Sequence, residues 1–182
     1  MSAPTTTVPA GIFPALDRWL DAVRAVVDLG AAPAATAAGV RAALARLLLD
    51  RDSVSEVVGA LQLEARRRPA RTLAQHVEPD GTFTLQAFRW PPGWTTSIHD
   101  HVAWGAAAVL LGAEHECTYR LDGERPVLLA RRVHSAGEAY AFVPPHDVHQ
   151  VRTPEPALSL HVYGADLSAT GTSTRRRYEG TD

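Results

Sequence analysis

The feature that most constrains this fold is a change of hydrophobic rhythm at about Arg71. Before it, apolar residues recur at helical spacing. Ile12, Leu16, Leu20, Val23 and Val27 form one stripe ended by Gly30, and Val40, Leu44 and Leu47 form a second. Ser53-x-x-Glu56 ahead of Val57, Val58 and Leu61 predicts a capping box that opens a third, short helix. Beyond Arg71 the runs are short, alternating or apolar, and cut by the turn sequences Glu78-Pro79-Asp80-Gly81, Pro91-Pro92-Gly93, Leu121-Asp122-Gly123 and Pro144-Pro145. Strands are expected near Thr72 to Val77, Thr82 to Trp90, Ala106 to Leu111, Glu114 to Leu121, Val127 to Val133, Ala139 to Val143 and Leu158 to Tyr163. Many short antiparallel strands must hide their edges. The expected class is therefore mainly β, a jelly-roll β-barrel closed on itself, with an N-terminal helical segment.

At 182 residues the chain is one domain's worth of material. The expected division is helices over 1–68 packed on a barrel over 69–163, followed by a polar tail over 164–182 that carries Arg175-Arg176-Arg177 and crosses or folds over the barrel. Eighteen basic and twenty acidic residues give a net charge of -2, without the field needed to hold nucleic acid. A small-molecule partner fits better. Cys117 is the sole cysteine, which excludes an internal disulfide framework and a multi-cysteine zinc site and suits a reducing cytosol. Met1 to Ala10 has no basic segment followed by an apolar one, and no apolar stretch approaches the roughly 20 residues of a membrane helix. The expected location is the cytoplasm.

The chemistry is concentrated in Gly93-x5-His99-x-His101-x3-Gly105-x6-Gly112 and Gly137-x6-Pro144-x-His146-x2-His149. His99 and His101 are two apart, so on an extended segment both imidazoles face one side and reach one metal ion; Asp100 between them faces the other side and is a poor ligand candidate. His149 supplies a third imidazole, and three neutral imidazoles leave a metal's other positions open. His146 ranks below His149. His76, His115 and His134 read as surface or satisfied core residues. Trp94 and Trp104 flank the histidine pair and can wall a pocket or sit in the core. Ser159, His161 and Tyr163 alternate with Leu160 and Val162, which puts the three polar side chains on one face of a strand. Inside a small barrel such a face must be hydrogen-bonded; the competing reading is a face open to solvent.

These segments resemble the two motifs of the cupins and, more narrowly, the cysteine dioxygenase type of thiol dioxygenase. The carrying residues are Ser97-Ile98-His99-Asp100-His101, Trp104-Gly105, Val148-His149-Gln150-Val151 and Ser159-Leu160-His161-Val162-Tyr163, over about Arg71 to Tyr163. The resemblance implies a cupin fold in which His99, His101 and His149 bind Fe(2+) and both atoms of O2 are added to the sulfur of a small thiol, giving a sulfinate. It implies that Tyr163 donates a hydrogen bond toward substrate and oxygen, with His161 and Ser159 orienting it. Gly105 stands where other cupins have a glutamate ligand and where the mammalian-type enzymes have a cysteine that cross-links the tyrosine. Tyr163 is thus expected unmodified, as in many bacterial relatives.

The carboxylate anchor that the resemblance implies is an arginine ahead of the first histidine motif, for which Arg71 is the candidate although Pro69-Ala70-Arg71-Thr72 lacks the family's tyrosine. Enzymes acting on 3-mercaptopropionate use an arginine of the C-terminal tail, which brings in Arg175, Arg176 or Arg177. Cysteine and 3-mercaptopropionate both remain open as substrates. So do a diverted biosynthetic product from the same site, a non-catalytic metal- or ligand-binding cupin, and a three-histidine zinc site that activates water.

Overall fold

The computed structural model describes residues 13–68 and 70–179; Ile12 of the first expected stripe and Pro69 lie outside them. Three helices come first, α1 (Phe13–Val27), α2 (Pro33–Leu47) and α3 (Arg51–Arg67). Leu16, Leu20 and Val23 of α1 and Val40 and Leu44 of α2 are buried, as their spacing predicts. The third helix differs from expectation in its start and its length. It spans 17 residues, and its cap is Asp50, whose side chain accepts the Ser53 backbone N–H at 3.1 Å. Aspartate caps as well as serine does. Ser53 lies inside the helix and its hydroxyl accepts the indole N–H of Trp19 at 3.1 Å.

The strands are β1 (Thr72–Val77), β2 (Thr84–Trp90), β3 (Trp94–Thr95), β4 (Ile98–His101), β5 (Gly105–Leu111), β6 (Ala113–Asp122), β7 (Arg125–Ser135), β8 (Ala139–Phe142), β9 (His149–Thr153), β10 (Ala157–Tyr163) and β11 (Thr174–Tyr178), with a short helix α4 (Leu167–Thr170) before the last. They form two antiparallel sheets, one ordered β1-β2-β10-β5-β8 and the other β11-β4-β9-β6-β7, with β3 paired to β9. The mainly β class with an N-terminal helical segment holds, but the expected closure into a barrel does not: the two sheets are not joined into one. The edges are managed otherwise. Helix α3 contacts β1 and α2 contacts β8. The other sheet's edge strands carry arginines, Arg125, Arg131 and Arg132 on β7 and Arg175, Arg176 and Arg177 on β11, and charge blunts an exposed edge.

The five-stranded sheet is buried on both faces, and this positions the site. Leu158, Leu160 and Val162 of β10, with Ala106, Ala108 and Leu110 of β5, join Leu16, Trp19, Val40, Leu44 and Leu61 of the helices in one core. The opposite face contributes Phe88, Trp90, Ala107, Val109 and Tyr163 to a second core with Tyr140 and Phe142. Every residue of β10 is buried. The alternation read from sequence therefore separates two interiors rather than an interior from water, and the apolar face of β10 lies under the helices.

Candidate metal centre

Strand β4 presents His99 and His101 on one face, and β9 opens on His149. His99 and His149 are cross-strand partners, the one register pair between these strands. The three histidines offer ligand atoms within 4.8 Å of one another, and among the described residues they form the group of His, Cys, Asp or Glu side chains that could hold a metal ion. Residues fifty positions apart in the chain thus meet through one backbone pairing.

The other nitrogen of each ring is already engaged. His99 Nδ1 donates to the carbonyl of Ser97 at 2.9 Å. His101 Nδ1 donates to Asp147 Oδ2 at 3.0 Å, and the same oxygen accepts the His101 backbone N–H at 3.0 Å. His149 Nδ1 donates to Glu116 Oε1 at 2.7 Å, while Glu116 Oε2 accepts from His134 Nε2 at 3.0 Å. All three acceptors hold a proton on Nδ1, so each ring has its Nε2 lone pair left for a metal. Burial, with the neighbouring imidazoles, pushes His99 down to about 3 and burial pushes His101 down to about 4, against the partial restoring pull of Asp147. Those two rings are neutral at pH 7, the form that ligates. A cluster of three imidazoles with no carboxylate among its ligands suits a transition metal with open positions.

Gly105 has a steric cause here. A Cβ at this position would sit 2.1 Å from Cζ of Phe142. The Phe142 ring stacks on His101, centroids 4.1 Å apart and planes at 27°. The space that a glutamate or cysteine at 105 would use is filled by an aromatic ring that braces a histidine.

The histidines open into a pocket of about 280 Å³. Its wall includes Tyr163 and His161 from β10, Arg71, Trp90 and Trp94, and Ser173, Thr174 and Arg177 from the C-terminal segment. Ser159, His161 and Tyr163 are 0%, 5% and 4% exposed, which removes the solvated-face reading. They form a chain. The indole N–H of Trp90 donates to Ser159 Oγ at 2.8 Å, Ser159 Oγ lies 3.0 Å from His161 Nε2, and His161 Nδ1 lies 3.4 Å from the Tyr163 hydroxyl. Burial holds the Tyr163 hydroxyl protonated, well above the usual tyrosine range. Arg71 has its guanidinium over three rings, 5.6 Å from Phe88, 5.5 Å from Trp90 and 5.2 Å from Trp94. Such stacking fixes the planar fork while leaving its N–H edge free.

A model of the family described as cysteine dioxygenase type I matches residues 25–176. The chain belongs to the cysteine dioxygenase type I family. Among solved structures, similarity extends to a variant of the oxalate decarboxylase of Bacillus subtilis, with 18% identity over 53% of this chain and 24% of that chain and a TM-score of 0.43. A cupin superfamily protein of Desulfitobacterium hafniense DCB-2 is similar at 14% identity over 51% of this chain and 75% of that chain, with a TM-score of 0.41. This family member thus spans about a quarter of the oxalate decarboxylase chain that it matches. No helix among the described residues is long and apolar enough to cross a membrane.

In this cysteine dioxygenase type I family member, His99, His101, His149, His161, Tyr163 and Arg71 meet at one pocket, and Ser159 lies behind His161 within hydrogen-bond distance. His146 is exposed and stays outside the cluster. The three tail arginines separate. Arg175 and Arg176 bind Asp100, whereas Arg177 is the register partner of His99 and lines the pocket. Asp100 does face away from the histidines, and its buried carboxylate accepts from Arg175 at 2.6 Å, from the Arg176 backbone N–H at 2.8 Å and guanidinium at 3.1 Å, and from Tyr178 at 2.8 Å. Burial alone would raise its pKa, yet these donors hold it down to about 2. Trp94 is a pocket wall and Trp104 packs against the helical core. Sequence reasoning missed Asp147, Glu116 and Glu114. Asp147 lay in plain view beside His146. Glu114 and Glu116 stand two apart on β6, a same-face pattern whose partners depend on the pairing of β6 with β9.

Proposed function

We propose that this protein is a non-haem Fe(II) thiol dioxygenase that adds both atoms of O2 to the sulfur of a small thiol bearing a carboxylate, cysteine or a mercapto-acid, to give a sulfinate. The observation that carries this reading is that three imidazoles with free Nε2 atoms share one pocket with Tyr163 and an aromatic-stacked arginine. Ferrous iron held by His99, His101 and His149 would keep its full double charge, supplying the Lewis acidity that favours a thiolate and the electrons that activate O2.

The chain's own residues do the rest. Asp147, Glu116 and the Ser97 carbonyl keep the histidine protons on Nδ1. Arg71 offers the substrate carboxylate two parallel hydrogen bonds, and Arg177 offers a second cationic contact from the opposite sheet. No carboxylate among the described residues lines the pocket, so an anionic thiol is favoured over a cationic one. Tyr163 donates a hydrogen bond toward substrate and oxygen, His161 and Ser159 hold it in place, and the aromatic walls Phe88, Trp90 and Trp94 exclude water.

The test is oxygen uptake by iron-loaded protein with cysteine, 3-mercaptopropionate and cysteamine in parallel, with mass analysis of the product. Uptake with a carboxylated thiol and a mass gain of two oxygen atoms is expected. A different product mass would favour a diverted reaction, and zinc in protein purified without oxygen, with no uptake, would favour a hydrolytic or binding role. His149→Ala should lose metal and oxygen uptake together; a variant that keeps both sinks the site assignment.

A further inference from the structure

The hydrogen-bonded chain of β10 does not end at Ser159. Glu114, on β6 of the opposite sheet, is fully enclosed at 0% exposure. Its Oε2 accepts the Tyr140 hydroxyl at 2.7 Å. Its Oε1 has no hydrogen-bond partner and lies 3.5 Å from Nε2 of His161. A carboxylate offers acceptors alone, so the hydrogens within reach must point toward it. Those hydrogens are on His161 Nε2 and on the Ser159 hydroxyl, whose oxygen already accepts the Trp90 indole N–H. This places a proton on Nε2 and leaves Nδ1 facing Tyr163.

The charges around the pair are few. The titratable groups facing His161 are Tyr163 on its own strand, Glu114 on β6 and Tyr140 on β8, with His101 of β4 felt through space; Phe88 and Trp90 of β2 add aromatic walls. Glu116, two residues along β6, is engaged by His149 and His134. His161 is the one basic side chain against Glu114 among the described residues. Burial raises the Glu114 carboxyl, but His161, Ser159 and Tyr140 outweigh it and hold the group below its ordinary value. A buried charge with an under-satisfied oxygen carries a desolvation cost that a positive charge on its neighbour would offset.

We propose that Glu114 is the counter-ion that lets His161 take up the proton a thiol gives up on entering the pocket. The proposal rests on the thiol reading above. In this step the S–H bond breaks and sulfur keeps the electron pair. The proton passes to the Tyr163 oxygen as Tyr163's own hydroxyl proton passes to His161 Nδ1. His161 then bears two N–H groups and a positive charge against the negative charge of Glu114. Nδ1–H now donates to the Tyr163 oxygen, and the Tyr163 O–H is turned into the pocket as a donor. Glu114 touches neither substrate nor metal and is a positioning residue.

The experiment counts protons. The iron-loaded protein, kept without oxygen, is titrated with 3-mercaptopropionate in buffers of different ionisation enthalpy, which gives the number of protons released per thiol bound. The wild-type protein should release close to none, and Glu114→Gln, which keeps the shape and loses the charge, should release about one. Equal release by the two proteins overturns the proposal. Tyr163→Phe cuts the path from the pocket and should also release about one, so the test survives a poorly folding Glu114 variant. If the thiol does not bind the wild-type protein at all, the thiol reading itself fails, an outcome separate from binding with unchanged proton release.

Discussion

Two fully buried carboxylates, Asp100 and Glu114, lie on the same sheet and are treated in opposite ways. Asp100 has both oxygens engaged by Arg175, Arg176 and Tyr178, and so ties the strand that carries the histidines to the C-terminal strand. Glu114 has one strong donor, Tyr140, and a second oxygen that His161 Nε2 approaches only at 3.5 Å. A saturated carboxylate fastens structure. An under-satisfied one keeps a capacity for a further proton or positive charge, and that is useful where chemistry moves a proton. Asp147 sits between the two cases, with Oδ2 doubly used by His101 and Oδ1 without a partner.

The contrast can be tested from its strongest consequence downward. Tyr163→Phe removes the route between Glu114 and the pocket. It should retain metal while slowing turnover roughly 100-fold, with oxygen consumed in excess of sulfinate formed. Unchanged, coupled turnover measured by oxygen electrode and product analysis would take Tyr163 out of the mechanism. Asp147→Asn leaves His101 with a weaker acceptor and should lower metal affinity about 10- to 100-fold, read by competition with a chelator, with little effect on relay function. Asp100→Asn should cost about 2 kcal/mol in urea unfolding, because charge-assisted bonds to the tail are lost, while proton release on thiol binding stays as in wild type. If Asp100→Asn altered proton release and Glu114→Gln did not, the assignment of roles would be reversed.

The smallest effect is on acid stability of the metal-free protein. His99 and His101 are held at about 3 and about 4, below the 6.5 of an ordinary imidazole. Below pH 6.5 the unfolded chain therefore binds protons that the folded one refuses, and stability falls as the pH drops from about 6.5 toward about 3. Asp100, held at about 2 against an ordinary 3.8, adds a second loss between those values, since its stabilising charge is present above 3.8 and gone below 2. Thermal melts across pH 3 to 7 would show the first slope, and bound metal should suppress it. A flat profile would mean that these histidines are not desolvated in solution.

How much of this was legible in the chain varies by element. Strand β1 was read to the residue, Thr72–Val77, because the change of rhythm at Arg71 and the turn sequence Glu78-Pro79-Asp80-Gly81 bound it, and not because its residues favour strands. The short strands β3, β4, β9 and β11 were not set apart as strands, although an extended segment was expected at His99 and His101, because two to five residues carry little periodicity. The helix start at Asp50 was displaced to Ser53 because both residues cap well and only the packing of Trp19 on Ser53 separates them. Barrel closure was inferred from strand number. What sequence could not weigh was the cover that α2 and α3 give to the edges of one sheet and the arginines that guard the other.

By itself the sequence determined the residue types and their local faces. An i, i+2 histidine pair on an extended segment and a Ser-x-His-x-Tyr strand have fixed directions, because the side-chain period of a strand is two. The tertiary structure decided which of these faces meet. It set His149 beside His99, put Glu116 and Asp147 behind two of the ligands, chose Arg177 from three adjacent arginines, and placed Glu114 under His161. Those choices depend on registers between strands far apart in the chain, and a shift of one residue in any of them would turn the same side chains to the opposite face.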